Sequence, residues 1–362
     1  MFDIDEITHQ ILHNCEISDA HHAGMFSICG LALRLRDLYK WEKGLPPWEE
    51  RDSAEVLEWI EARENKWDAH ADTDFWDIAI NGKKFDPFDT FGINSALEPH
   101  HLFYGAGYAR SLKPTFFLAA VEETSIIDGT PVYILGRELA RDLLTIPALS
   151  QDDCVLLRQE SARLFIWDSI FYIKKSARTA LAFALDRCGI KDHRPKALRR
   201  SLDEILAVLK TTYIYHEMGE LKDTVFDRVL WREIIAAFPF SPAEYLARAV
   251  KDLLADTNEY GTLHYIVRER KAAELGFYVA FLDGLLKEFF QDLPAAFEEF
   301  TRTNDWDTIE QALASGYQTA AQHAGLIMDL YREGVDKNDL KWAEVQIQKR
   351  LLGKYAKKGE IR

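Results

Sequence analysis

The sequence predicts a mainly α-helical protein, with a C-terminal helical bundle preceded by a smaller α+β region that contains two β-hairpins. Three observations carry this. Beyond residue 150, apolar residues recur at helical spacing in one long stretch after another, punctuated by capping residues and prolines. Before that point stand two turn dipeptides, Asn81-Gly82 and Asp128-Gly129, each flanked by apolar, β-branched or aromatic residues, the signature of tight hairpins. Charge changes at the same place: residues 1–150 carry 13 Lys and Arg against 26 Asp and Glu, whereas 151–362 carry 31 against 33. An acidic α+β region over 1–149 and a helical domain over 150–362 are therefore expected.

Taken in order, residues 3–15 read as a short helix with Ile4, Ile7 and Ile11 on one side. Ser18 is the expected cap of a longer helix over 19–41, apolar nearly all round and so expected to be buried. Gly44-Leu45-Pro46-Pro47 ends it, and Asp52 with Glu55 opens an amphipathic helix to residue 64. The hairpins pair 76–80 with 83–85, and 115–121 with 131–135. Between them, 86–114 reads as a long irregular, aromatic-rich loop. In the second half, helices are expected over 150–185, 201–238, 262–290, 305–333 and 338–355, and the basic stretch 349–362 is expected to fray. Ser241-Pro242-Ala243-Glu244 is the strongest helix start, with a cap, a proline in the first turn and a glutamate three residues after the cap.

Composition narrows the function classes. The chain has 362 residues, is 48% hydrophobic and carries a formal net charge of −15. Those values suit a folded protein, and they argue against nucleic acid or an anionic membrane as the main partner. The acidic start has no basic segment leading into an apolar run, and the longest apolar stretches are far too short to span a bilayer. Cys15, Cys29, Cys154 and Cys188 are scattered without metal-ribbon spacing, as expected of free thiols in a cytoplasmic protein. The glycine-rich dinucleotide fingerprint, the phosphate loop, HExxH and GxSxG are all missing from the sequence.

Four segments taken together, 17–42, Asp86-Pro87-Phe88-Asp89, 104–119 and 135–151, resemble a family of bacterial proteins of similar length from anaerobes. The resemblance spans most of the chain and implies no activity, cofactor or catalytic residue.

One constellation suggests chemistry. On the helix expected from Ser201, the apolar stripe of Leu202, Ile205, Leu206, Leu209 and Tyr213 runs into His216, Glu220, Asp223 and Asp227, spaced four, three and four. Imidazole and carboxylate on a core-facing stripe suit iron, manganese or zinc, and helical bundles build such centres from several helices. His216 and Glu220 are the expected metal ligands, with His264 as a third from a neighbouring helix. Glu160, Asp168 and His323 also lie on core-facing stripes. Two other readings stand beside this one. Gly219 marks a possible kink that would turn the stripe toward water, and a buried His–carboxylate pair needs no metal. Other histidines read as structural: Glu6, His9 and His13 on a solvent face, His22 bonded to a backbone carbonyl, and Glu98, His100 and His101 in an exposed turn. Two functions follow: association with a protein partner, as a homodimer or otherwise, or a metal-dependent enzyme.

Overall fold

The structure, a computed structural model, describes residues 2–70 and 72–353. It divides into two units, parting between Phe171 and Tyr172. The sequence pattern changes earlier, at 147–150, but the segment that follows is not helical. Ala148–Gln151 and Cys154–Arg158 are strands of the first unit's sheet, so Ser150 lies within a strand and caps no helix.

In the first unit, α1 (Ile4–His22) runs well past the expected end at residue 15. Ser18 is consequently buried in its interior, accepting from Lys113 Nζ at 2.7 Å and donating to the Pro114 carbonyl. The real cap of α2 (Ile28–Glu42) is Ser27, whose hydroxyl accepts from the Gly30 amide at 3.1 Å. That helix is only half covered: Leu35 and Leu38 are buried, whereas Ile28 is 89% exposed. Next comes α3 (Ser53–His70), followed by β1 (Ile78–Ile80) and β2 (Lys83–Phe85). These two strands form the first expected hairpin, with positive φ at Asn81 (51°) and Gly82 (81°) as a two-residue turn of this hand requires.

The expected loop over 86–114 instead holds α4 (Thr90–Leu97) and β3 (Leu102–Tyr108). Then follow β4 (Pro114–Ile127), β5 (Thr130–Arg141), β6 (Ala148–Gln151), β7 (Cys154–Arg158) and α5 (Gln159–Phe171). The second expected hairpin, β4–β5, is the middle of a five-stranded sheet ordered β3-β4-β5-β7-β6, in which only β5 and β7 run parallel. Alternation along β4 separates two cores. Phe116 and Leu118 pack with Ile7, Ile11 and Tyr104 under α1, whereas Phe117 and Ala119 pack with Phe103, Leu135 and Leu156 on the other face. Gln151, on the β6 edge, donates to the Tyr104 carbonyl at 3.1 Å and accepts from the Ala106 amide at 3.0 Å. It thereby ties the two edges of the sheet together.

The second unit is helical among its described residues. It comprises α6 (Arg178–Arg187), α7 (Pro195–Lys222), α8 (Arg228–Ala237), α9 (Pro242–Thr257), α10 (Thr262–Arg268), α11 (Ala272–Phe281), α12 (Gly284–Phe289), α13 (Asp292–Thr303), α14 (Trp306–Asp336) and α15 (Leu340–Leu352). Several expected helices are thus broken into shorter ones. The helix expected over 201–238 stops at Lys222: Asp223 accepts from the amides of Val225 and Phe226, and Asp227 caps α8 through the Leu230 amide. The expected fraying of 349–362 lies mostly outside the described residues.

The strongest start in the sequence has the geometry its spacing implies. Ser241 Oγ accepts from the Glu244 amide at 3.3 Å, and Glu244 reaches back to the Phe240 amide at 3.0 Å. We expect Ser241→Ala to destabilise the helical unit by about 1 kcal/mol, measured by urea unfolding; an unchanged midpoint would show that the cap carries nothing.

Candidate metal centre

Helices α7 and α9 meet where Gly219 faces Ala255. A Cβ built on Gly219 would lie 2.0 Å from the Ala255 carbonyl oxygen, so only glycine lets the two backbones come this close. The chain stays helical through Gly219, and the kink the sequence allows for is absent there. Asn258 strengthens the junction by donating to the Gly219 carbonyl at 2.9 Å.

This contact sets two residue pairs against each other, each spaced by one helical turn: His216 and Glu220 on α7, Asp252 and Asp256 on α9. One ligand atom from each of His216, Glu220 and Asp252 lies within 4.8 Å of the others. His216 Nδ1 sits 2.8 Å from Asp256 Oδ1, and Nε2 stands 3.9 Å from Glu220 Oε1. The Tyr278 hydroxyl of α11 donates to the other Asp256 oxygen at 2.7 Å. Asp256 therefore holds the proton on Nδ1 and turns Nε2 toward Glu220. Lys251 pairs with the far oxygen of Glu220.

The electrostatics follow from four carboxylates sharing a half-buried space with one imidazole and one ammonium. Burial works against the His216 imidazolium, but the charge and hydrogen bond of Asp256, helped by Glu217 and Glu220, outweigh it and raise the pKa well above the usual histidine range. Burial likewise pushes Glu220 up, yet Lys251 and His216 bring it below the ordinary glutamate value. For Glu217 and Asp252 the charges of His216 and Lys251 offset burial only in part. Burial, reinforced by the Glu220 charge, pushes each up to about 7.

Sequence reasoning finds His216 and Glu220, and the structure brings them together. Asp223 and Asp227 serve as caps, as described above. His264, on α10, lines a different cleft of about 590 Å³ together with Lys222, Tyr260, Arg268 and Tyr317. His323 is buried in α14 against the Phe289 ring at 5.0 Å, and Glu160 and Asp168 belong to the first unit. Asp252, Asp256 and Tyr278 are the residues that reading misses. A signal for the aspartates exists: they flank the buried Ala249 and Leu253 on one face of α9, where a carboxylate is out of place without a partner. Elsewhere, His22 bonds the Ser18 carbonyl at 3.0 Å, and Glu98, His100 and His101 are exposed. His13 is half-buried rather than on a solvent face, stacked on Trp76 at 3.5 Å.

Two family profiles cover nearly all of the chain: the N-terminal domain of DUF6866 over residues 6–158 and its C-terminal domain over 163–350, both described as a family of unknown function. The chain belongs to the DUF6866 family. No curated protein and no solved structure matches it. The boundary between the two DUF6866 domains falls inside α5, close to where the structural units part, and the His216 cluster lies wholly within the C-terminal domain. Among its described residues, no helix is long and apolar enough to cross a membrane.

Proposed function

We propose that the helical unit is a metal centre that binds one divalent transition-metal ion through His216 Nε2, Glu220 and Asp252. The observation that carries this reading is the convergence of those three ligand atoms while Asp256 occupies the other imidazole nitrogen. Metal-ligating histidines almost always donate their second nitrogen to a carboxylate or carbonyl in this way. Asp252 takes the position in the ligand set expected of His264, because it is Asp252 whose carboxylate reaches the other two.

One imidazole and two carboxylates suit ferrous iron, manganese or zinc. A bound ion of this kind supplies Lewis acidity, and three protein ligands leave coordination positions for water or a small substrate. The chain's own groups do the rest. Asp256 and Tyr278 hold the ring orientation, and a bound ion would compete with Lys251 for Glu220. A metal-dependent enzyme of the cytoplasm is the function this supports.

The test is metal content by mass spectrometry on untagged full-length protein from unsupplemented medium. Near-stoichiometric iron, manganese or zinc is expected, lost in His216→Ala and in Asp252→Asn while helix content is retained. A metal-free, folded wild-type protein that takes up none of the three ions on titration would overturn the reading and favour association with a protein partner.

A further inference from the structure

The cleft of about 590 Å³ that His264 lines lies wholly within the helical unit, and no residue of the His216 cluster borders it. Helical spacing explains how it is built. His264, Val267 and Arg268 share one face of α10, and Glu310, Leu313, Ala314 and Tyr317 share one face of α14. Val267 and Leu313 supply a buried apolar floor, and the small side chain of Ala314 leaves room beside them. Lys222, at the end of α7, and Tyr260, in the turn after α9, complete the lining. An apolar floor with a few converging polar groups is the usual make-up of a small-molecule site.

The groups left uncommitted in this cleft are donors and a ring. His264 is half-buried, and its imidazole has no hydrogen-bond or ion-pair partner among the described residues. Arg268, one turn along, spends Nε on Glu269 at 2.9 Å and Nη2 on the Tyr215 hydroxyl at 3.3 Å, which leaves Nη1. Lys222 Nζ adds positive charge, 4.7 Å from the centre of the Tyr260 ring. Two of the lining carboxylates are already engaged: Asp223 accepts from two backbone amides, and Glu310 pairs with Arg270 at 3.4 Å. Glu259, exposed on the turn, is the lining carboxylate without a partner among the described residues. Tyr317 is 36% exposed and stacks on no other ring of those residues. The complement of an imidazole N–H and a guanidinium N–H one turn apart is a carboxylate, and that of an unstacked tyrosine beside an apolar floor is a planar ring.

We propose that this cleft binds a small aromatic carboxylate, its anionic oxygens on His264 and Arg268 and its ring against Tyr317, Val267 and Leu313. Lys222 reinforces the attraction for the anion, and Glu259 opposes it.

The experiment is isothermal titration calorimetry of the full-length protein with benzoate, phenylacetate and cinnamate, with the carboxamide of each, and with cyclohexanecarboxylate. Saturable binding of at least one aromatic acid is expected, about tenfold or more weaker for its carboxamide and for cyclohexanecarboxylate. His264→Ala and Arg268→Gln should each weaken it to a similar extent, whereas Glu259→Gln should strengthen it. All three side chains are half-buried or exposed, so the variants are expected to stay folded, which circular dichroism checks. No saturable binding of any of the acids at millimolar concentration would overturn the proposal. So would a carboxamide that binds as tightly as its acid, or an affinity unchanged in both His264→Ala and Arg268→Gln. Weaker binding in Glu259→Gln would assign the ligand a positive group and overturn it as well.

Discussion

Replacing Gly219 by alanine is expected to destabilise the helical unit by about 3 kcal/mol, at the upper end of what overpacking costs, and to disperse the His216 cluster. Helix propensity alone predicts the opposite sign, because alanine is favoured over glycine inside a helix by up to about 1 kcal/mol. Contact geometry decides between them. The new methyl would lie 2.0 Å from the Ala255 oxygen and 2.8 Å from its carbonyl carbon, and these are backbone atoms that no rotamer change can move. The helices must separate, and the Asn258 bond to the Gly219 carbonyl is strained as they do. His216 and Glu220 stand on either side of Gly219, as Asp252 and Asp256 do of Ala255, so that separation also opens the Nδ1–Asp256 hydrogen bond and the space between the three ligand atoms. Urea unfolding should show the lost stability, and the histidine ring resonances the lost hydrogen bond. A neutral or stabilised Gly219→Ala variant would mean that α7 and α9 are not packed in this way.

How much of this was legible beforehand depended on whether the controlling interaction was local. Asn81-Gly82, Asp128-Gly129 and the Ser241–Glu244 cap act within a few residues, and all three are found where the spacing puts them. Strands β3, β6 and β7 were missed because nothing local marks them. Their pairing with distant partners is what makes Leu102–Tyr108 a strand despite two glycines, and what makes Ser150 a strand residue rather than a cap. The break after Lys222 was missed for a related reason: Asp223 and Asp227 continue a helical stripe in the sequence, yet their side chains bond the backbone of the turn instead. The His216 cluster was half readable. His216 and Glu220 announce themselves as polar residues on an apolar stripe, and Asp252 and Asp256 repeat the pattern on α9. That α7 pairs with α9 is a tertiary fact, and Gly219 encodes it in a form that reads locally as weakness.

A larger loss is expected from Glu138→Gln in the first unit, about 3–5 kcal/mol at neutral pH. Glu138 is 3% exposed and receives two parallel hydrogen bonds from Arg158, at 3.0 and 2.9 Å, another from Ser161 at 2.8 Å, and an ion pair with Arg141 at 3.5 Å. An amide has nearly the same shape but no charge and one acceptor oxygen instead of two, so two buried guanidiniums are left without their anion. A surface pair gives the contrast: Glu299 and Arg302 are both exposed, and Glu299→Gln should change stability by less than about 1 kcal/mol. The pH dependence separates charge from packing. Burial opposes ionisation of Glu138, but Arg158 and Arg141 outweigh it and hold the carboxyl below its ordinary value. Its contribution is therefore complete above the unfolded pKa, near 4.3, and is lost as pH falls through the lower folded value. The gap between wild type and Glu138→Gln should be constant from pH 8 to pH 5 and narrow in stronger acid. Asp19 works in the opposite sense. With its folded pKa raised to about 7, the penalty of ionising it in place grows as pH rises toward that value, so wild type and Glu138→Gln alike should lose some stability between pH 5 and pH 8. Urea titrations of both proteins across that range, followed by tryptophan fluorescence, would test the two slopes together. A gap that stays constant into strong acid would assign the loss to packing and remove charge pairing as the reason Arg141 and Arg158 can be buried.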